Sequence, residues 1–250
     1  PMMKLRLAAP KHLIDIGRLS DLAYIRPSNG GAALGALTTH AMVESSGVLR
    51  ELWAALPEAA GLIGDLQVRN KGTIGGSLAH ADPAADYPAV VLAVEAEIDA
   101  VGPSGKRTIP VAEFFVDTLT TALQPGEIIT EVRVPAPPPR SASAYVKFPH
   151  PASRYAVCGV CAVVALDDAG RCAQARVAVT GVGPKATRLP AVEQVLVGQQ
   201  LSEEAIASAA EKAADGLETV GDFFASAEYR QHLAKVYTRR ALTAAVGRLR

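Results

Sequence analysis

Apolar and polar positions change period several times along this chain, and each change marks an element. His12 to Gly17 reads as a short buried strand ending at a glycine. Ala32 to Thr39, after Gly30-Gly31, reads as a second strand built of small residues. His40 to Leu56 is helical in pattern, and Pro57 is expected to stop it. Pro88 to Val94 is a short apolar run expected to pack as a helix under the glycine-rich segment before it. Ala96 to Val101 alternates as a strand does, and Pro103-Ser104-Gly105 signals a turn. Glu127 to Val134 carries β-branched residues on a period of two and predicts a strand.

Pro135-Ala136-Pro137-Pro138-Pro139 can join neither a helix nor a central strand, so it predicts a stiff extended connector. A domain boundary is expected there, with residues 1–136 on one side and 140–250 on the other. Beyond it, Ala144 to Phe148, Val157 to Asp167 and Ala173 to Thr180 predict three antiparallel strands, with a hairpin turn at Asp167-Asp168-Ala169-Gly170. The remainder is helical. Ser202 caps one helix, with Glu203 and Glu204 in its first turn. Ser226 starts another, whose residues Tyr229, Leu233, Val236, Tyr237 and Ala241 recur at helical spacing. The fold class expected is α+β.

Composition narrows the function. Lys plus Arg (25) equals Asp plus Glu (25), which argues against nucleic acid as the main partner. No run of apolar residues is long enough to span a bilayer. Lys11, His12 and Asp15 interrupt any signal-peptide core after Lys4 and Arg6. The start at Pro1-Met2-Met3 leads us to expect a processed N-terminus or a fragment. Three cysteines make a disulfide framework unexpected and point to a reducing, cytoplasmic setting.

The densest chemistry lies in Arg69-Asn70-Lys71-Gly72-Thr73-Ile74-Gly75-Gly76-Ser77-Leu78-Ala79-His80-Ala81-Asp82-Pro83-Ala84-Ala85-Asp86. Glycines let backbone amides approach a ligand closely, and successive amides can form a concave nest for an anion. Thr73 and Ser77 can add hydroxyl donors. A diphosphate is the expected occupant, with Asp86 placed to accept from a sugar hydroxyl. The competing reading is a tight turn between two elements. His80, Asp82 and Asp86 suit a metal by type, but no second cluster completes a shell, so no metal is expected. Cys158 and Cys161 stand three apart in an apolar strand, facing opposite ways, and are read as inert. Gly181-Val182-Gly183-Pro184-Lys185-Ala186 imitates a dinucleotide fingerprint but lacks the β-α-β setting, so a structural turn is expected. Lys147, Arg154 and Tyr155 are either strand-end surface residues or groups facing the ligand. No nucleophile elbow or metalloprotease motif is present.

With Tyr87-Pro88-Ala89 after it, the Arg69–Asp86 segment resembles the flavoprotein subunit of molybdenum hydroxylases, most closely the medium subunits of aerobic carbon monoxide dehydrogenases. Lys4-Leu5-Arg6, His12-Leu13-Ile14-Asp15-Ile16, Gly35-Ala36-Leu37-Thr38-Thr39-His40, Pro125-Gly126-Glu127-Ile128-Ile129, Tyr145-Val146-Lys147-Phe148 and Ser153-Arg154-Tyr155 agree with that family. The resemblance covers nearly the whole chain. It implies FAD bound between an α+β flavin domain and a C-terminal domain of three strands plus helices. By the same resemblance, Thr73, Ile74, Gly75, Gly76 and Ser77 grip the diphosphate, Asp86 holds an FAD hydroxyl, Ile129 lies beside the cofactor, and Lys147 and Tyr155 lie near the isoalloxazine. It implies no catalytic acid or base on this chain.

The implied partners are a large subunit with a molybdenum cofactor and a small subunit with 2Fe-2S clusters, in a dimer of heterotrimers. Electrons would pass from the clusters to FAD and on to an external acceptor, in the cytoplasm or at the inner face of the membrane. No cysteine set here could ligate a cluster. One departure stands out: the family's other glycine-rich diphosphate loop would precede Pro1. Loss of that segment is expected to lower FAD affinity. The alternatives are the same role with a purine, nicotine or aromatic heterocycle as the complex's substrate, or a non-catalytic assembly subunit without FAD.

Overall fold

Residues 3–249 are described by the computed structural model. The first paired strands are β1 (Ile25–Ser28) and β2 (Gly31–Gly35). Asn29 and Gly30 turn between them with φ of 48° and 78°, the backbone hand that suits the twist of a hairpin. Upstream, the expected strand from His12 to Gly17 does not form. Those residues are coil, with Leu13 and Ile14 76% and 83% exposed. No neighbouring strand among the described residues offers them a ladder, and an isolated extended stretch leaves its backbone groups to water.

The helical stretch from His40 divides into α1 (His40–Ser45), α2 (Gly47–Leu52) and α3 (Ala55–Leu62). Ser46 ends the first and caps the second, its hydroxyl accepting from the Leu49 N–H at 3.2 Å. Pro57, expected to stop the helix, instead lies in the first turn of α3. There the N–H that proline lacks has no intrahelical partner to lose. Next come α4 (Leu66–Arg69), α5 (Ile74–His80) and α6 (Tyr87–Ala93), the last buried throughout. Strands β3 (Glu97–Gly102) and β4 (Gly105–Pro110), helix α7 (Val111–Phe114), the small pair β5 (Phe115–Asp117) and β6 (Thr120–Thr121), and β7 (Ile128–Val134) complete this half. The main sheet runs β1-β2-β7-β3-β4, antiparallel at every joint.

After the prolines, β8 (Ser141–Pro149), β9 (Ala156–Leu166) and β10 (Cys172–Thr180) form the expected meander, and a two-residue β11 (Thr187–Arg188) extends it in the order β11-β10-β9-β8. Helices α8 (Pro190–Leu196), α9 (Glu203–Glu211) and α10 (Ala227–Val246) follow. Ser202 and Ser226 cap the last two, accepting from the amides of Ala205 and Tyr229.

The second sheet is covered on both sides, so β9 is buried in all but its last residue, which is why it reads as an unbroken apolar run. One of its faces packs against α8, α9 and α10. The other joins the core of the first half. Cys158 belongs to the former core and Cys161 to the latter, as strand alternation requires. Trp53 stitches the halves at the connector, its Nε1–H donating to the Pro135 carbonyl at 2.7 Å.

Candidate functional site

Helix α5 sets one wall of the site. Thr73 is its N-cap, and its hydroxyl accepts from the Gly76 N–H at 3.1 Å. The remaining amides of the first turn are also satisfied within the protein. Ile74 donates to the Thr38 carbonyl at 3.0 Å, Gly75 to Ala36 at 2.9 Å and Ser77 to Thr73 at 3.0 Å. The glycine segment is therefore a helix start, not the open nest of unpaired amides expected from its sequence. Its two glycines also differ in role. A Cβ on Gly75 would lie 2.6 Å from the Ala36 Cβ and 2.7 Å from the Ala36 carbonyl oxygen, whereas one on Gly76 would meet only the Thr73 hydroxyl, at 3.0 Å. Gly75 lets α5 press onto the end of β2. Gly76 is exposed and presents bare backbone to a cleft.

That cleft has a volume of about 530 Å³ and runs along the junction of the two halves, within the usual range for ligand sites. Lys71, Gly72, Thr73, Gly76, Ser77 and His80 form one wall, Asp86 and His40 lie at its base, and Ser153, Arg154 and Tyr155 face them from the loop between β8 and β9. Lys71 and Arg154 bring positive charge, Thr73 and Ser77 bring hydroxyls, and Tyr155, 45% exposed, brings an aromatic ring. His80 and Asp82 approach each other at 4.0 Å on the rim. Among the described residues, no three His, Cys, Asp or Glu side chains gather as a metal site would need.

The Ala81–Asp86 trailer proves to be the seam between the halves. Ala156 N–H donates to the Ala84 carbonyl at 3.0 Å and Gly181 N–H to Pro83 at 2.8 Å. The Thr180 hydroxyl stands 2.8 Å from the carbonyls of both Pro83 and Ala85. Asp86 ends the seam, 4% exposed. It accepts from the Tyr145 hydroxyl at 2.6 Å and from Lys147 Nζ at 2.9 Å. Tyr145 and Lys147 alternate on β8, so both side chains reach the same face. Lys147 donates a second time, to the Leu62 carbonyl at 2.8 Å. Burial pushes the Asp86 carboxyl up and the Lys147 ammonium down from their ordinary values, and each restrains the other's shift. Burial, then Asp82 and Asp86, pushes the Tyr155 phenol up.

Of the residues expected at the site, Thr73, Gly76, Ser77, Asp86 and Tyr155 line the cleft. Ile74 and Gly75 lie just inside it, buried under the wall. Lys147 reaches the site through Asp86. Ile129 is not on the cleft wall: it is buried in β7, in the core against which α5 packs. Lys71, inside the glycine segment but given no role there, and His40 and Tyr145, outside it, also belong to the site. His40 and Tyr145 stood in segments that agree with the family, and the strand alternation of Tyr145 with Lys147 was a further signal. The imitation fingerprint at Gly181–Ala186 is a packed turn, in which a Cβ on Gly183 would sit 2.3 Å from the Glu218 carbonyl oxygen.

Residues 1–137 match the family model of the FAD binding domain in molybdopterin dehydrogenase, and residues 143–245 match the CO dehydrogenase flavoprotein C-terminal domain. The chain belongs to the FAD-binding flavoprotein subunits of the molybdenum hydroxylases. It is 40% identical to the 6-hydroxypseudooxynicotine dehydrogenase complex subunit alpha of Paenarthrobacter nicotinovorans, over 100% of this chain and 84% of that one. It is also 40% identical to the carbon monoxide dehydrogenase medium chain of Hydrogenophaga pseudoflava, over 99% of this chain and 86% of that one. In three dimensions it is similar to the Hydrogenophaga pseudoflava carbon monoxide dehydrogenase that lacks the Mo-pyranopterin moiety, with a TM-score of 0.95 and coverage of 100% and 87%.

The residues of this flavoprotein subunit fit its cofactor. A dinucleotide needs donors and positive charge at its diphosphate and a flat face for its ring. Lys71, Thr73 and Ser77 stand on one wall, and Tyr155 with Arg154 on the other. His40 at the base of the cleft adds a ring nitrogen, Nε2, directly beneath Gly72.

Proposed function

We propose that this subunit receives electrons from the iron–sulfur clusters of a small partner subunit, holds them on FAD and passes them to an external acceptor. A large partner subunit with a molybdenum cofactor would oxidise the substrate, in a dimer of heterotrimers. The observation that carries this reading is the cleft at the junction of the halves. It has hydroxyls and a lysine on one wall and a half-exposed tyrosine on the other.

Bound FAD supplies the redox chemistry; the chain binds and orients it. Thr73, Gly76 and Ser77 would meet the diphosphate, with Lys71 balancing its charge, and Ile74 and Gly75 would fix the helix start that aims them. Asp86 keeps acceptor capacity beyond its two bonds for a flavin-nucleotide hydroxyl. Lys147 and Tyr145 hold that carboxylate still. Tyr155 would pack against the ring, and Ile129 would support α5 from behind. The prolines divide a flavin-binding unit, 1–136, from a C-terminal unit, 140–250, that closes the cleft. Three buried free thiols agree with a reducing, cytoplasmic location.

Carbon monoxide is the first substrate we propose for the whole complex, on 40% identity to a carbon monoxide dehydrogenase medium chain. The equal identity to the 6-hydroxypseudooxynicotine dehydrogenase subunit supports a second reading, oxidation of a nitrogen heterocycle. Purified complex should show a flavin spectrum near one FAD per chain and bleach anaerobically with one of these substrates. A colourless complex with no FAD after reconstitution would overturn the electron-transfer role and leave an assembly subunit.

A further inference from the structure

Under the cleft wall lies an imidazole whose surroundings leave it incompletely satisfied. His40 is the first residue of α1 and is 5% exposed. Its backbone is fixed by donation to the Gly72 carbonyl at 3.0 Å. Its ring packs on Tyr87, with centroids 5.3 Å apart and planes tilted by 58°. Nδ1 is buried without a hydrogen-bond partner. The opposite edge lies under Gly72, where a Cβ would stand 2.5 Å from Nε2 and 2.8 Å from Cδ2. Both residues line the cleft. Because residue 72 carries no side chain, nothing from it covers Nε2 on the cleft side.

Burial, and then the nearby Arg69, lowers the His40 pKa to about 4. The ring is therefore neutral near pH 7 and carries one proton. A buried N–H without an acceptor is rarer and costlier in folded proteins than a bare lone pair. This places the proton on Nε2, the atom facing the cleft, and makes it a donor. The neighbouring Lys71 ammonium is also a donor, and the Thr73 and Ser77 hydroxyls can donate too. A group that suits all four is rich in acceptor oxygens.

We propose that His40 is a further cofactor-binding residue, donating through Nε2–H to a phosphate oxygen of the bound flavin dinucleotide. This rests on the reading that the cleft holds FAD.

The test uses the full chain in its complex, stripped of flavin, with FAD, ADP and riboflavin as probes. His40→Phe keeps the ring against Tyr87 and removes the donor. Gly72→Ala keeps the histidine residue but puts a Cβ 2.5 Å from Nε2 and 2.8 Å from Cδ2, which displaces the ring edge from the cleft. Both variants should bind FAD and ADP at least about tenfold more weakly, as loss of one hydrogen bond to a charged group implies, and should bind riboflavin unchanged. In wild-type protein labelled with ¹⁵N-histidine, the Nε2 resonance of His40 should move on adding FAD or ADP and stay put with riboflavin. If His40→Phe binds FAD and ADP as tightly as wild type, or if the resonance does not move, the proposal is overturned. Should His40→Phe fail to fold, the resonance decides alone. Wild-type protein that takes up no FAD would overturn the reading of the cleft itself. Uptake with an indifferent His40 would overturn only the inference.

Discussion

Lys147 and Asp86 form an ion pair at 2.9 Å across the junction of the two halves, with side chains only 1% and 5% exposed. One partner comes from β8 and the other from the end of the glycine-loop trailer. The pair therefore ties closure of the cleft to folding of the second sheet. Removing one member leaves the other charged and buried, at a cost of about 3–5 kcal/mol. Asp86→Ala and Lys147→Ala should each lower stability by that order in denaturant titrations. An apolar pair, Asp86→Leu with Lys147→Met, should lose less than either single variant while still losing flavin affinity. If the double variant is as unstable as the sum of the singles, the buried pair is not what sets the cost.

The two loop glycines should respond oppositely to the same added methyl. Gly75→Ala forces a Cβ against Ala36, and overpacking of this kind costs about 1–3 kcal/mol. Its melting temperature should fall. Gly76→Ala has room apart from the Thr73 hydroxyl, so its melting temperature should hold while FAD affinity drops. Equal thermal losses in the two variants would contradict the separation of roles.

Stability should weaken in mild acid through His40. Its pKa falls from an ordinary 6.5 to about 4 on folding. Between those values the unfolded chain binds the extra proton and the native chain does not, so stability declines as pH drops through that window. The full effect is about 3 kcal/mol. His40→Phe should remove this contribution to the slope between pH 6.5 and 4 in denaturation measured across pH. An unchanged slope would show that folding leaves the imidazole's pKa near its ordinary value.

The thiols should be silent until the protein unfolds. Burial raises all three above the ordinary cysteine range, Cys172 to about 11 and Cys158 and Cys161 further. Thiolate is the reactive form. A thiol reagent should label none of them in native protein at neutral pH and all of them after denaturation. Rapid native labelling of Cys158 or Cys161 would mean that β9 opens readily.

Much of the secondary structure was legible in the residues. The helix starts at Ser202 and Ser226 rest on a side chain that caps its own backbone, and the β8–β10 meander rests on alternation and one turn. The misses were tertiary. Residues 12–17 carry strand-like residues, but a strand exists only where another strand pairs with it. Pro57 breaks a helix interior, yet it is tolerated in a first turn, and which of these applied depended on where α3 began. At the site, the glycine pair was visible, but which glycine packs against Ala36 and which faces the cleft was not.

The chain's own residues determined the glycine-rich, hydroxyl-flanked segment with an acid after it, and an extended proline run that no helix or central strand could absorb, because these follow from local backbone chemistry. The tertiary structure alone decided that the trailer's carbonyls would be claimed by Ala156, Thr180 and Gly181, that Lys147 would find Asp86, and that His40 would lie beneath Gly72. Each of those meetings joins residues far apart in the chain. Only packing of the second sheet against the helices of the first half, driven by burial of apolar surface, brings them within reach.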